Sequence, residues 1–229
     1  MKTIGLIGGM SWESTITYYQ VINEVVKEEL GGFHSAKILL YSVDFHEIEA
    51  SMAADDWEKG TEILIDAAER LERGGADFIV VCTNTWHKVA DQIRQKVSIP
   101  LLHVAELIAD ELKDNGIETA ALLGTRYTME QDFYKYKLEE NGINVIIPDQ
   151  QERDDINRII FEELCLGIIS PDSKERYLSI IDQLMQRGAN AIILGCTEIG
   201  LLVQQEDTQA ALLDTALIHA RRAALYAIQ

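Results

Sequence analysis

The chain has 229 residues, of which 47% are hydrophobic, and it carries a formal net charge of -18 at pH 7. This length and apolar content suffice for a full core, in one large domain or two smaller lobes, and argue against a disordered or fibrous protein. The acidic balance argues against nucleic acid and anionic membranes as partners, because both attract basic surfaces.

Apolar runs of about four to eight residues alternate with longer segments of helical period, a pattern typical of βαβ units and a parallel sheet. The predicted strands are Thr3–Ile7, Ala36–Val43, Phe78–Cys82, Leu101–His103, Ala120–Leu123, Asn144–Ile147 and Ala191–Leu194. The predicted helices are Ser14–Leu30, Trp57–Gly74, Ala105–Asn115, Glu130–Asn141, Arg153–Leu166, Asp172–Arg187 and Thr215–Ile228.

The chain has no Ser-rich or Gly-rich linker and only three prolines. We place a short lobe boundary at Asn115-Gly116. Residues 1–115 then form an N-terminal α/β lobe and residues 116–207 a C-terminal α/β lobe. A last helix within residues 208–229 is expected to pack back on the first lobe.

No segment resembles a signal peptide, and no apolar run is long enough to cross a bilayer. The three cysteines form neither a disulfide framework nor a paired zinc-binding pattern. These features predict a cytoplasmic protein, because reducing compartments keep cysteines free.

A near-repeat stands at the ends of two predicted strands. Residues 75–85 read GADFIVVCTNT and residues 188–198 read GANAIILGCTE. Aligned without a gap, Thr83 lies opposite Cys196, whereas Cys82 lies opposite a glycine. Successive side chains of a strand point to opposite faces, so the register pairs Thr83, and not Cys82, with Cys196.

A second similarity precedes the first: residues 3–9, TIGLIGG, resemble residues 119–125, TAALLGT. Chance similarity among strand-turn-helix units can produce such matches. We favour a true duplication, because four matching strand ends in the same order would let two similar lobes face one site, and ligand sites prefer such clefts.

Polar residues follow directly after two of the buried strands, at the carboxyl edge of the sheet, where α/β proteins bind ligands. Hydroxyl and amide groups can hold a small polar ligand, and backbone N–H groups that open the next helix can hold a carboxylate. A strongly acidic chain can therefore still bind an acidic metabolite. The residues in these positions are Thr83, Asn84, Thr85, Cys196, Thr197 and Glu198.

Cys196 is the best candidate for a nucleophile or base, because a thiol beside a helix N-terminus can have a lowered pKa. The alternative is a small buried apolar residue, since free cysteine is often buried. We favour the chemical role because Thr197 and Glu198 follow Cys196 directly. Cys82 and Cys165 are interpreted as structural.

The turn Gly8-Gly9-Met10-Ser11 matches neither the P-loop nor the complete dinucleotide-binding pattern, so we predict no nucleotide. It either brings backbone amides to a ligand carboxylate, as Gly124-Thr125 would in the other half, or permits tight strand-helix packing. His87 either faces the site or packs beside its helix. The scattered histidines and lysines predict neither a metal nor pyridoxal phosphate.

Four motifs stand in order along the chain: GGMSWEST at 8–15, CTNT at 82–85, LGTRYTM at 123–129 and GCTE at 195–198. Together they closely resemble the aspartate/glutamate racemase family over essentially the whole chain, and most closely its L-aspartate/glutamate-specific racemases. The resemblance implies two pseudo-symmetric three-layer α/β lobes with parallel sheets, an active site in the cleft between them, and proton exchange at an α-carbon without a cofactor.

Most members of the family carry two facing cysteines, one in a Cys-Asn-Thr motif and one in a Gly-Cys-Thr motif. Here Thr83 occupies the first of these positions, in agreement with the internal repeat. The resemblance assigns Cys196 as the base for the L-amino acid, and Thr83, or a water that it holds, returns the proton from the other side. A hydroxyl is a poor base near neutral pH, so the two faces of the substrate should not be equivalent.

We therefore predict a cofactor-independent racemase of aspartate, glutamate or both that prefers the L-isomer, with Thr83 and Cys196 as catalytic residues. The predicted substrate-binding residues are Met10, Asn84, Thr85, Thr125, Thr197 and Glu198. The alternatives are a racemase of another amino acid such as homoserine, a sister reaction such as malonate decarboxylation or maleate isomerisation, and a non-catalytic protein that binds acidic metabolites. The expected partner is a small amino acid, and a homodimer stays open.

Overall fold

The computed structural model describes residues 1–229, which divide into two compact units. The first unit consists of Met1–His103 and His219–Gln229, and the second of Val104–Ile218. The strands are β1 (Thr3–Gly8), β2 (Lys37–Ser42), β3 (Phe78–Val81), β4 (Leu101–Leu102), β5 (Thr119–Gly124), β6 (Asn144–Ile146), β7 (Ala191–Gly195) and β8 (Ala211–Asp214).

The helices are α1 (Trp12–Leu30), α2 (Phe45–Ala53), α3 (Trp57–Arg73), α4 (Ala90–Arg94), α5 (Val104–Asp114), α6 (Arg126–Glu130), α7 (Asp132–Glu140), α8 (Gln150–Glu162), α9 (Pro171–Gln186), α10 (Ile199–Leu202) and α11 (Thr215–Ile228). Three short 3₁₀-helices span Thr85–Val89, Leu164–Leu166 and Gln205–Asp207. A helix with the length and apolar character to cross a membrane is not found in the chain.

The first unit is built on a parallel sheet with the strand order β2-β1-β3-β4. Alternating side chains of its strands point to opposite faces of the sheet. One set, which includes Ile79 and Val81, packs with Leu64 and Leu71 of α3. Phe78, from the other set, meets the ring of Tyr226 of α11 edge-on at 4.9 Å. Helices therefore pack against both faces of the sheet.

The second unit has a parallel sheet with the order β6-β5-β7-β8, which repeats the order of the first. Side chains of β5 and β7 alternate between two apolar clusters, one shared with α8 and α9 and the other with α5 and α7. Leu123 belongs to the first cluster and Leu122 to the second. Both faces of the sheet are thus covered by helices, and the common strand order is the one expected for two copies of one unit.

The boundary between the units differs from the predicted position at Asn115-Gly116, because the chain divides after His103. Helix α5, which we assigned to the first lobe, buries Val104, Ile108 and Leu112 in the cluster that contains residues of β5 and β7. The apolar face of α5 therefore belongs to the second unit. The last helix belongs to the first unit from His219 onward.

All seven predicted strands and all seven predicted helices are present, with bounds that shift by a few residues. Strand β8 was missed, because its four residues run directly into α11 without a glycine or proline between them. The short helices α2, α4, α6 and α10 were also missed as separate elements.

Candidate active site

Cys196 follows the last residue of β7, where two glycines let neighbouring strands approach closely. Gly195 pairs with Gly124 of β5. A β-carbon at Gly195 would lie 2.8 Å from the Leu123 carbonyl oxygen, which is closer than such contacts allow. Cys196 itself is 9% exposed and borders the apolar cluster of α8 and α9. The thiol is therefore held at the edge of a dry core.

The thiol of Cys196 donates a hydrogen bond to Oε2 of Glu198, at 3.0 Å. The Thr197 hydroxyl donates to the same oxygen at 2.7 Å. Glu198 is itself buried. Three consecutive residues that we expected to line the site thus contact one another, and the carboxylate of Glu198 lies at the centre of the group. This carboxylate is the nearest group that could take the thiol proton.

The pKa of Cys196 is raised well above the usual range of a cysteine, first by burial and then by the negative charge of Glu198. We had expected a lowered pKa from the start of the next helix, and that expectation was wrong. The following helix, α10, has only four residues. Desolvation and a nearby carboxylate both oppose a thiolate, so the resting form is the neutral thiol.

Cys82 and Thr83 follow β3 and differ sharply in their surroundings. Cys82 is fully buried, and burial raises the pKa of its thiol far above the usual range. Thr83 is only partly buried. Its N–H donates to the Val81 carbonyl at 2.9 Å, which bends the chain out of the strand. Cys82 therefore behaves as a core residue, whereas the Thr83 side chain stands where the chain leaves the sheet.

Asn84 and Thr85 are both buried at the start of the 3₁₀-helix Thr85–Val89. His87 of this helix is also buried, and its Nδ1 lies 2.7 Å from the carbonyl oxygen of Thr83. The sequence left open whether His87 packs or faces the site. The structure places it in the interior of the first unit, against the backbone of a candidate catalytic residue.

The glycine turn after β1 is used for close packing. A β-carbon at Gly8 would collide with the Thr15 side chain of α1, and Gly9 has φ of 91° with the backbone of Val43 against it. The Gly9 N–H donates to the Thr15 hydroxyl at 2.9 Å. This amide is therefore already satisfied within the unit, and packing explains both glycines.

Met10 and Thr125, which we predicted to bind substrate, have structural neighbours as well. Met10 is buried in the apolar cluster that contains Val43 and Ile48. Thr125 caps the short helix α6, where its hydroxyl oxygen accepts a hydrogen bond from the Thr128 N–H at 3.3 Å. Both side chains therefore have a structural role, since they pack or hydrogen-bond directly after β1 and β5.

The sequence identified Cys196 and Glu198 individually but missed the hydrogen bond that joins them. It also missed the contact of His87 with Thr83. The second contact runs from the His87 ring to the backbone carbonyl of Thr83, which precedes the 3₁₀-helix Thr85–Val89, so no helical periodicity of side chains indicates it. No sequence pattern indicates the first, which depends on how the chain bends after Gly195.

The whole fold has known counterparts. A family model described as Asp/Glu/Hydantoin racemase matches residues 7–223. A solved structure of a candidate Asp/Glu racemase from Yersinia pestis is 56% identical, with a TM-score of 0.95 and 100% of both chains covered. An aspartate racemase homologue from Pyrococcus horikoshii OT3 is 37% identical, with a TM-score of 0.87 and 100% of both chains covered.

Among curated proteins, the chain is 25% identical to the broad specificity amino-acid racemase RacX of Bacillus subtilis strain 168, over 93% of this chain and 92% of that protein. The family match extends over nearly the whole chain and includes the ends of β3 and β7. The chain belongs to the Asp/Glu/hydantoin racemase family and is an isomerase of that family.

Proposed function

We propose that the protein racemises aspartate, glutamate or both without a cofactor, and that Cys196 removes the α-proton of the L-isomer. The observation that carries this proposal is the contact of the Cys196 thiol with the Glu198 carboxylate. An apolar core position needs no such partner, and a simple binding protein needs no thiol. A thiol that hydrogen-bonds a buried carboxylate has the parts of an acid-base pair.

In the proposed reaction, Glu198 takes the proton from Cys196 and leaves a thiolate. The thiolate removes the α-proton of the substrate, so a C–H bond breaks and an S–H bond forms, while the electron pair stays on the α-carbon and its carboxylate. Thr83, or a water that it holds, then returns a proton to the opposite face and is reprotonated by solvent, while Glu198 passes the proton that it took from Cys196 to solvent. The new C–H bond gives the D-isomer, and no electron acceptor is needed.

The range of substrates is part of the proposal. The similarity to the broad specificity racemase RacX favours testing amino acids beyond the acidic pair, with homoserine among them. The similarity to an aspartate racemase homologue favours aspartate as the first substrate. Preference for the L-isomer is proposed because the Cys196 thiol can pass its proton to Glu198 and then act as a base, whereas the Thr83 hydroxyl is a poor base near neutral pH.

The direct test is a chiral assay. Purified protein free of pyridoxal phosphate is incubated with each enantiomer of aspartate, glutamate, homoserine and several neutral amino acids, and the opposite enantiomer is measured. We expect conversion of L-aspartate or L-glutamate. If neither acid is converted, the proposal in this form is wrong, and turnover of a neutral amino acid would point to the alternative racemase.

The matched variant is Cys196→Ser, which keeps the size and a hydrogen-bond donor but not the acidity of the thiol. We expect turnover to fall by about 10²-fold to 10⁴-fold. Ligand should still raise the melting temperature, since binding stabilises the folded state. An inactive wild-type protein that is still stabilised by the acids would instead indicate a metabolite-binding protein.

A further inference from the structure

The carbonyl of Thr83 lacks the partner that a regular α-helix would give it. In an α-helix the N–H of residue 87 would donate to the carbonyl of residue 83. Here the His87 N–H donates to the Asn84 carbonyl at 3.1 Å, as a 3₁₀-helix requires. The His87 ring takes the vacated place, because its Nδ1 lies 2.7 Å from the Thr83 carbonyl oxygen.

This contact fixes the tautomer of His87. A carbonyl oxygen can only accept, so Nδ1 carries the hydrogen and donates it to Thr83. Burial lowers the pKa of His87 to about 4, and the ring is therefore neutral near pH 7. A neutral imidazole with its hydrogen on Nδ1 has a single N–H to donate, and here it donates to the Thr83 carbonyl.

Neighbouring rings hold the orientation of His87. His103 meets it edge-on at 4.7 Å between ring centroids, and His219 lies at 5.5 Å. His219 is fixed in turn, because its Nδ1 accepts from the Tyr18 hydroxyl at 2.9 Å and its Nε2 donates to the Leu102 carbonyl at 3.1 Å. All four aromatic residues of this group are buried.

We propose that His87 is a positioning residue that sets the direction of the Thr83 hydroxyl through the Thr83 carbonyl. A β-branched side chain has few rotamers, so the orientation of its peptide largely decides where its hydroxyl points. The Nδ1–H bond anchors that peptide just beyond β3, where the sheet no longer holds it. This inference rests on the proposed function, in which Thr83 serves one face of the substrate.

Three variants separate this role from simple packing. His87→Asn keeps an N–H donor close to the position of Nδ1, whereas His87→Leu fills similar space without a donor. Tyr18→Phe is the matched control, since it also removes one buried hydrogen bond of the same ring group but none to Thr83. All three are compared with the wild type at equal folded fraction, checked by thermal melting.

The readout is the reaction of L-aspartate in D₂O, in which two products are measured. The D-isomer reports protonation on the Thr83 side, and deuterium in the remaining L-isomer reports exchange by Cys196. We expect His87→Leu to lower D-isomer formation about 10-fold to 100-fold, the range expected for a misplaced group, and to change deuterium exchange less than about 2-fold. His87→Asn should recover most of the loss, and Tyr18→Phe should show none.

A different pattern overturns the inference. If His87→Leu lowers both products by the same factor, or if His87→Asn is no better than His87→Leu, His87 only stabilises the fold. If exchange in the wild type is too slow to measure, the kcat values decide. The inference then requires that His87→Leu lowers kcat, that His87→Asn recovers most of the loss, and that Tyr18→Phe leaves kcat unchanged. A wild-type protein with neither inversion nor exchange would refute the proposed function itself.

Discussion

The thiol of Cys196 and the carboxylate of Glu198 form a hydrogen-bonded pair, with 3.0 Å between sulfur and oxygen. Burial and the charge of Glu198 hold the pKa of Cys196 far above its usual range. The pair therefore rests with its proton on sulfur near pH 7. In the proposed reaction a thiolate forms when the carboxylate accepts this proton, so both residues take part in one proton-transfer step.

Glu198→Gln should make the Cys196 thiol more acidic and the protein less active. The variant keeps an oxygen that can accept the thiol hydrogen bond but removes the base and its charge. Because the carboxylate raises the pKa of Cys196, we expect that pKa to fall in the variant. D-isomer formation should nevertheless fall by about 10²-fold, the size of a lost acid-base contribution.

The pKa is measured from the pH dependence of iodoacetamide alkylation, followed at the Cys196 peptide by mass spectrometry. Thr197→Val is the matched control, since it removes the other hydrogen bond to the carboxylate and keeps the charge. Full activity of Glu198→Gln would remove Glu198 from the proposed mechanism.

Thr83→Cys should change the balance between the two faces of the substrate. A thiol at this position can ionise and act as a base, whereas a hydroxyl cannot do so appreciably. We expect faster deuterium incorporation into the D-isomer and a higher initial rate from the D-isomer at saturation, relative to the L-isomer. The equilibrium ratio of enantiomers cannot change.

Cys82→Ala is the control for that experiment, because Cys82 is fully buried with a strongly raised pKa. We expect near wild-type turnover from this variant and a loss of stability of roughly 1 kcal/mol from the small cavity. Loss of turnover in Cys82→Ala, together with full activity in Thr83→Ala, would show that the assigned register is wrong by one residue.

Gly9→Ala tests whether the turn after β1 is a packing device. A β-carbon at Gly9 would lie 2.8 Å from the Ser42 hydroxyl and closer still to the Val43 carbonyl oxygen. Gly75→Ala is the matched control, since Gly75 also has a positive φ, 94°, but open space around it. We expect urea unfolding to show a loss of about 1–2 kcal/mol for Gly75→Ala from backbone strain alone. Gly9→Ala should lose about 1–3 kcal/mol more. Equal losses would contradict the packing interpretation.

Stability should fall when the pH drops from 7 to 5. Burial lowers the pKa of His87 to about 4 and that of His219 to about 3. Below the ordinary histidine pKa of about 6.5, His87 and His219 therefore bind protons in the unfolded chain but stay neutral in the folded chain. Each histidine should remove roughly 2 kcal/mol from the free energy of unfolding over this interval.

Urea unfolding at several pH values measures the slope. In His87→Leu one of these two histidines is gone, so the loss of stability between pH 7 and 5 should be smaller than in the wild type by roughly 2 kcal/mol, the contribution of one buried histidine. An unchanged slope in this variant would show that His87 is not a buried neutral ring.

The sequence was sufficient to predict the parallel α/β units, because short apolar runs alternate along the chain with longer segments in which apolar residues recur with the period of a helix. It also located Thr83 and Cys196 at equivalent strand ends, because the repeat can be aligned without a gap. The pKa of Cys196 could not be predicted in this way. It depends on burial by the helices of the second unit and on a contact with Glu198 that a bend of the chain creates.

Helix α11 also fixes the order in which the protein can be completed during synthesis. The carbonyl of Ala227 accepts from the N–H of Lys2 at 2.8 Å, and Tyr226 covers Phe78 of β3. Yet the whole of Val104–Ile218 lies between these parts of the first unit. The ribosome therefore synthesises the whole second unit before the end of α11. Until then, Phe78 of the first unit lacks its contact with Tyr226. Vectorial folding, which usually begins with the N-terminal domain, here finishes with it.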